Sequence, residues 1–274
     1  MNHLGMKIYW PIGLSMDMPG RTTSGPDLEP LLEEYAHSLV SAGTTVKVGW
    51  MSKTTSLLSS NFLGMINDAY VIRDILNIQN QGYDGAMIGP HWDPGLYAAR
   101  EAATIPVSGP LESAIAVAQT LGRRFAVLTV HEGYVPMIER SIRIYGAESR
   151  AIAKRPVRRF GMTFNNAIRC LEGKDNEFLQ EFTKCALGCI DDGADVIIAG
   201  GQLFGPIFQK HQYTTIEKTG VPVVEVAACG LKMLETLITL KRAIGLKKSE
   251  HHNAPFRTPD KKMVDLALKE FLKD

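Results

Sequence analysis

Short apolar runs alternate along this chain with longer stretches whose apolar residues return every three or four positions. That alternation predicts strands separated by amphipathic helices, and so an α/β fold with parallel pairing. The first run, "KIYWPIG", reads as a strand leading into a loop rich in Gly, Pro, Ser and Met that extends to about Gly25. A helix follows over about residues 27–42, with Asp27 as its N-cap. "TTVKVGWM" is a strand, and residues 61–81 carry Met65, Ala69, Ile72, Ile75 and Leu76 at helical spacing. "GAMIG" reads as a buried strand. "DPGLYAAREAA" then opens a helix, with Asp93 as cap and Pro94 suited to the first turn.

"IPVSGPLESAIAVAQTLG" supplies a short strand, a loop and a helix, and "RFAVLTV" is the next central strand. A helix over about 134–145, an extended "RAIAKRPVRRF", a polar connection and a helix over about 176–192 lead to the strand "ADVIIAGG". The chain passes through "KHQYTTIEKTG" and "VPVVEVAACGLKMLETLITLKRAIGL" into the polar tail "KKSEHHNAPFRTPDKK". That tail reads as an exposed connection, with His251 and His252 at the surface. A short docked helix over about 259–272 ends the chain.

The pattern repeats. Residues 82–90 align with residues 193–201, and "IPVSGPLESAIAVAQTL" aligns with "VPVVEVAACGLKMLETL". Each unit is a strand ending in small residues, a helix, an (Ile/Val)-Pro-Val segment and another helix. The expectation is two similar Rossmann-like or flavodoxin-like lobes with parallel sheets, related by a pseudo-twofold. Lobe 1 would comprise approximately residues 1–120 and 221–274, the chain crossing back over to it, and lobe 2 approximately residues 121–220. Ligands of such sheets sit outside the carboxyl ends of the strands, so the two equivalent strand ends should flank one central cleft.

Composition narrows the partners. The chain has 274 residues, 45% of them hydrophobic, and a net charge of +1, which gives no global attraction to nucleic acid or an anionic membrane. The basic cluster Lys154, Arg155, Arg158 and Arg159 is local and reads first as a solvated edge, second as a lid over an anion. No apolar run approaches the roughly 20 residues that span a bilayer, and the N-terminus lacks the apolar core and cleavage site of a signal peptide. The expectation is therefore a cytoplasmic protein. Its four cysteines, Cys170, Cys185, Cys189 and Cys229, form no CxxC pair. Cys185 and Cys189, four apart on a helix, share a face and read as core rather than metal ligands. Phosphate-loop, dinucleotide-binding, GxSxG and HExxH motifs are all missing. No cofactor and no metal are expected.

Taken in order, "GYDGAMIG…DPGLYAARE", "IPVSGPLESAIAVAQTLGRRFAVLT", "YVPMIERSIRIYG", "GADVIIAGG" and "VPVVEVAACGLKMLE" resemble the aspartate/glutamate/hydantoin racemase superfamily, and hydantoin racemases most closely. The resemblance covers about residues 7–240. It implies two lobes around a cleft and cofactor-free chemistry on a small carbonyl or carboxylate compound: a hydantoin-like ring, an amino acid derivative or a dicarboxylate. It also makes a homo-oligomer plausible. In that family two cysteines, one per lobe, remove and return a proton α to a carbonyl on opposite faces. The matching positions here hold Pro90 and Gly201, and "WPIG" stands where hydantoin racemases carry an Asn-Pro-Asn turn. The two-thiol mechanism therefore does not transfer. Hydrolysis or decarboxylation on the same scaffold, and ligand binding without turnover, stand as alternatives.

Replacement chemistry must come from other groups near the strand ends. His91 follows Pro90 and is the first candidate for acid or base. Gln202, after Gly201, can hold a carbonyl or a water, and Glu112 in "GPLESA" is a candidate base or a helix-terminus charge. Gly200 and Gly201 permit close approach of backbone donors to an oxyanion. Thr129, whose position carries a substrate-binding hydroxyl in the family, joins the substrate-binding set with Pro11, Pro90, Trp92, His131 and Glu225. Glu132 follows His131 in the same loop, and Asp93 reads mainly as a helix cap.

Overall fold

The computed structural model describes residues 5–13, 27–55 and 60–272. The Gly-, Pro-, Ser- and Met-rich loop expected after the first strand lies outside them, beyond Gly13. The α/β architecture with two similar lobes is borne out. The first sheet contains β1 (Lys7–Ile12), β2 (Thr45–Trp50), β3 (Gly85–Met87) and β4 (Val107–Ser108), all parallel, in the order β2-β1-β3-β4. The second contains β5 (Phe125–Thr129), β6 (Val157–Arg159), β7 (Val196–Gly200) and β8 (Val223–Glu225), also parallel, in the matching order β6-β5-β7-β8. β3, β5 and β7 are buried at every position, as parallel strands covered on both faces must be.

Helices α1 (Leu28–Leu39), α2 (Asn61–Gln79), α3 (Leu96–Ala102) and α4 (Pro110–Leu121) follow the strands of the first sheet. Helices α5 (Val135–Ile144), α6 (Phe164–Leu171), α7 (Glu177–Asp191), α8 (Phe204–Lys210) and α9 (Val226–Ile244) belong with the second, and α10 (Lys261–Phe271) closes the chain. The last helix of each repeat changes sides. α4 packs on β7 and β8, α9 packs on β3 and β4, and the two helices pack on each other. The chain therefore returns to the first lobe at α9, not at residue 221, because β8 hydrogen-bonds into the second sheet.

Local chemistry explains most boundaries. Asp27 caps α1, accepting from the Glu29 N–H, and Ser60 caps α2 through Leu63. The expected polar connection after β6 contains α6, opened by a Thr163–Asn166 capping box. Its eight residues are too few to show a clear helical period. Cys170, which falls in that expected polar connection, is fully buried on this helix, while Val264 and Leu268 of α10 pack against the first-lobe core.

Asp93 is a cap, but not of the helix that follows it. α3 starts from Gly95 without a side-chain cap. The Asp93 carboxylate instead accepts from the Leu111 N–H at 2.9 Å and the Glu112 N–H at 2.8 Å, in the first turn of α4. It also accepts from the Tyr145 hydroxyl at the end of α5, at 2.7 Å. Asp93 itself has φ +58°, a left-handed conformation that aspartate tolerates better than most residues. One buried carboxylate thus joins the β3–α3 loop, the α4 terminus and the second lobe. Replacing it with alanine strands two backbone donors and a phenol, so Asp93→Ala is expected to cost about 3–5 kcal/mol in urea unfolding. Tyr145→Phe should cost about 1 kcal/mol. An equal, small cost for both would deny Asp93 this role.

Candidate active site

The equivalent strands β3 and β7 deliver their carboxyl ends to one place between the lobes. The first end is packed tightly, since a Cβ on Gly89 would lie 1.8 Å from the Pro11 carbonyl oxygen. Only glycine fits there, and the chain turns directly into Pro90 and His91. Gln202 crosses from the other end, its side-chain N–H₂ donating to the Gly89 carbonyl at 3.2 Å. His91 crosses the opposite way: its Nε2 lies 3.1 Å from the Thr129 hydroxyl at the end of β5. Its ring edge stands 3.0 Å from where a Cβ on Gly200 would be.

A cavity of about 180 Å³ lies at this junction. Pro90, His91, Trp92, Gly201 and Gln202 all line it. The remaining wall is apolar and comes from elements the repeat does not single out: Leu28 and Leu32 of α1, Phe164 and Ala167 of α6, and Leu203 and Phe204. Gly13, Val130, Thr163 and Tyr134 complete it. Trp92 stacks on Tyr134 with centroids 4.4 Å apart, and His91 meets both rings edge-on. A Cβ on Gly201 would come within 2.9 Å of the Phe204 ring, so that ring fills the space where a side chain at 201 would begin.

Burial governs the electrostatics. His91 is 5% exposed, and desolvation lowers its pKa from 6.5 to about 3, so the imidazole is neutral. Among the described residues its Nδ1 has no hydrogen-bond partner. Burial raises the Tyr134 pKa, keeping that phenol protonated. It also raises the Asp93 carboxyl to about 7, although three donors oppose the shift. None of the four cysteines lines the cavity, and burial pushes the Cys229 thiol up to about 12.

Several expected residues stand elsewhere. Thr129 is fully buried behind His91, so its hydroxyl reaches the site through the imidazole. Gly200 is buried beside that ring. Pro11 packs behind Gly89, and Gly13 takes the place at the cavity wall. His131 is exposed and accepts from the Gly133 N–H through Nδ1, capping a short turn over Glu132–Tyr134. Glu225 caps α9 through the Ala227 and Ala228 N–H groups and accepts from the Tyr35 hydroxyl of α1, which ties the lobes together. Glu112 is bound bidentately to Arg100 and faces a separate cavity. Lys154 and Arg158 of the basic cluster pair with Asp192. Tyr134, Phe164 and Phe204 were not singled out in the sequence. Phe204 follows Gly201 closely enough to be suspected, but nothing local marks Phe164.

The architecture defines a two-lobed parallel α/β protein with a small-molecule cavity where duplicated strand ends meet. The chain belongs to the Asp/Glu/Hydantoin racemase family, whose profile matches residues 24–234. Its activity class is that of a racemase acting on a small molecule. It is 30% identical over 208 residues to a hydantoin racemase of Rhizobium meliloti, covering 76% of this chain and 80% of the relative. A hydantoin racemase of Pseudomonas sp. (strain NS671) is 29% identical over 204 residues, 73% of this chain and 74% of the relative. The crystal structure of allantoin racemase from Pseudomonas fluorescens shares the fold, with a TM-score of 0.74 at 23% identity over 93% of this chain and 97% of that one. Among the described residues, no helix is long and apolar enough to cross a membrane, and no cluster of three or more His, Cys, Asp or Glu is arranged to hold a metal ion.

The His91 shift makes a stability prediction. Its folded pKa lies below that of a free imidazole, so the unfolded chain takes up a proton first as the pH falls. This contribution is complete above about 6.5 and is lost as the pH falls toward about 3. Across that window the wild type should lose stability faster than His91→Gln, by at most about 1.4 kcal/mol per pH unit. Parallel pH profiles for the two proteins, measured by urea unfolding, would show that His91 protonates normally when folded.

Proposed function

We propose that this chain removes the proton α to a carbonyl of a small ring amide, of the hydantoin type, using His91 in place of a thiol and no cofactor. The observation that carries this reading is the neutral, buried imidazole at the cavity wall, with Nε2 occupied by Thr129 and Nδ1 without a partner among the described residues. With Nε2–H donating to Thr129, Nδ1 holds the lone pair that takes the proton. A pKa near 3 makes the free imidazole a weak base. As negative charge develops on the substrate, however, the imidazolium forms beside an anion and the pair stabilise each other in a dry site. The Tyr134 hydroxyl can donate to the developing enolate oxygen, and the Gln202 carbonyl oxygen can accept a ring N–H. The largely apolar wall favours a neutral ring over a dicarboxylate, because no Lys or Arg lines the cavity among the described residues. The two hydantoin racemase relatives point to the same substrate class.

Phe204 favours a second reading. With an aromatic ring where the far-side thiol would start, protonation from one face is easier than from both. That suits decarboxylation of a disubstituted malonate as well as proton exchange.

The test is proton NMR in D₂O with 5-substituted hydantoins, amino acids and malonates. Loss of the C5 proton signal of a hydantoin is expected, and His91→Ala should slow it by about 10²-fold or more. Undiminished exchange by a folded His91→Ala variant would remove His91 from the chemistry. Turnover of malonates alone would select the second reading.

A further inference from the structure

A second cavity is larger than the one at His91. It holds about 690 Å³ and lies beside the edge strand β4, between α4 and α9, roofed by the connection that leads to α10. That volume falls within the ordinary range of small-molecule sites. Its floor is apolar, built from Pro106, Val107, Ala116, Met233 and Leu237, with Leu246 and Phe256 coming from the connection. Its polar groups are unevenly charged. Arg100, Lys241, Lys247 and Lys248 face it, against only Glu112 and Glu250.

Both acids are already engaged. Glu112 is held bidentately by Arg100, and Glu250 accepts from the Thr258 N–H and hydroxyl. The lysines use only part of their capacity. The Lys241 ammonium donates to the Thr104 carbonyl, and the Lys248 ammonium to the carbonyls of Arg100 and Glu101. Each ammonium has three protons, so two remain on Lys241 and one on Lys248. Phe256 packs edge-on against Tyr97 with centroids 5.1 Å apart, and the Arg100 guanidinium sits over its ring, fixing the roof in place. An apolar floor with unspent ammonium donors and no free carboxylate matches one ligand chemistry: an amphiphilic anion.

We propose that this cavity is a second ligand site, separate from the catalytic one, which takes a small molecule with a hydrocarbon or aryl body and a single anionic head. The body lies on the floor between α4 and α9, and the head meets Lys241 and Lys248. The site does not depend on the reading of His91 as a base.

Isothermal titration of the full chain with octanoate tests it, with octanol as the uncharged match and acetate as the tail-less match. Octanoate should bind with at least tenfold higher affinity than either. The double variant Lys241→Ala/Lys248→Ala should weaken octanoate binding at least tenfold. Ala116→Trp, which fills the cavity from an exposed position on α4, should abolish it. His91→Ala should leave it unchanged. Absence of octanoate binding, equal binding of octanol, or binding lost with His91→Ala but kept in Ala116→Trp would each overturn the proposal.

Discussion

The buried carboxylate of Asp93 holds the centre of this molecule together. It sits two residues beyond His91, in a backbone conformation few side chains accept, and takes hydrogen bonds from α4 and from α5 at once. The loop after β3 cannot shift without breaking one of those bonds, and α4 packs on the second sheet, so the loop is fixed to both lobes. Other links cross the same junction, among them Gln202 to the Gly89 carbonyl, His91 to the Thr129 hydroxyl, and Tyr35 to Glu225. The site is therefore placed by polar groups whose partners lie far away in sequence. Apolar packing, through cores shared between the lobes, supplies the bulk of the stability.

That arrangement sets the charge state of His91. A histidine on a solvated loop would titrate near neutrality and switch charge with ordinary changes of pH. Here the lobes close around the ring, and exclusion of water keeps it neutral far into the acid range. The same exclusion strengthens every dipole aimed at the cavity, including the Tyr134 hydroxyl. On the proposed reading the cost is a weak base at rest, offset only when a substrate develops charge beside it. By the family resemblance, the two thiol positions fall at Pro90 and Gly201, and the Phe204 ring fills the space beside Gly201, so the cavity wall there is apolar.

Much of the fold was legible because duplication made the signal redundant. Glycine-bounded apolar runs marked β3 and β7, and the repeated Ile/Val-Pro-Val segments marked the strands beside them. The return of α9 to the first lobe was expected from the sequence, but the packing of α4 on the second sheet was not, since an amphipathic helix carries no mark of which sheet it covers. The site was partly readable. His91, Gln202, Trp92, Pro90 and Gly201 follow from their place at strand ends. Glu112 and Glu225 were equally plausible as carboxylates, but each is consumed by a structural partner, Arg100 or the first turn of α9, that only the fold brings near. The α1 and α6 wall was invisible, because apolar residues on amphipathic helices look alike whether they face a core or a cavity.

The central claim is that His91 is a neutral imidazole whose free nitrogen meets the substrate. Nitrogen-15 NMR of the histidine rings, assigned with the His91→Gln variant, tests it directly. The account predicts a ring that stays neutral, with its proton on Nε2, down to at least pH 4, and an Nδ1 resonance that moves when a 5-substituted hydantoin is added. A His91 ring that titrates near pH 6.5, or an Nδ1 resonance indifferent to a saturating hydantoin, would contradict it.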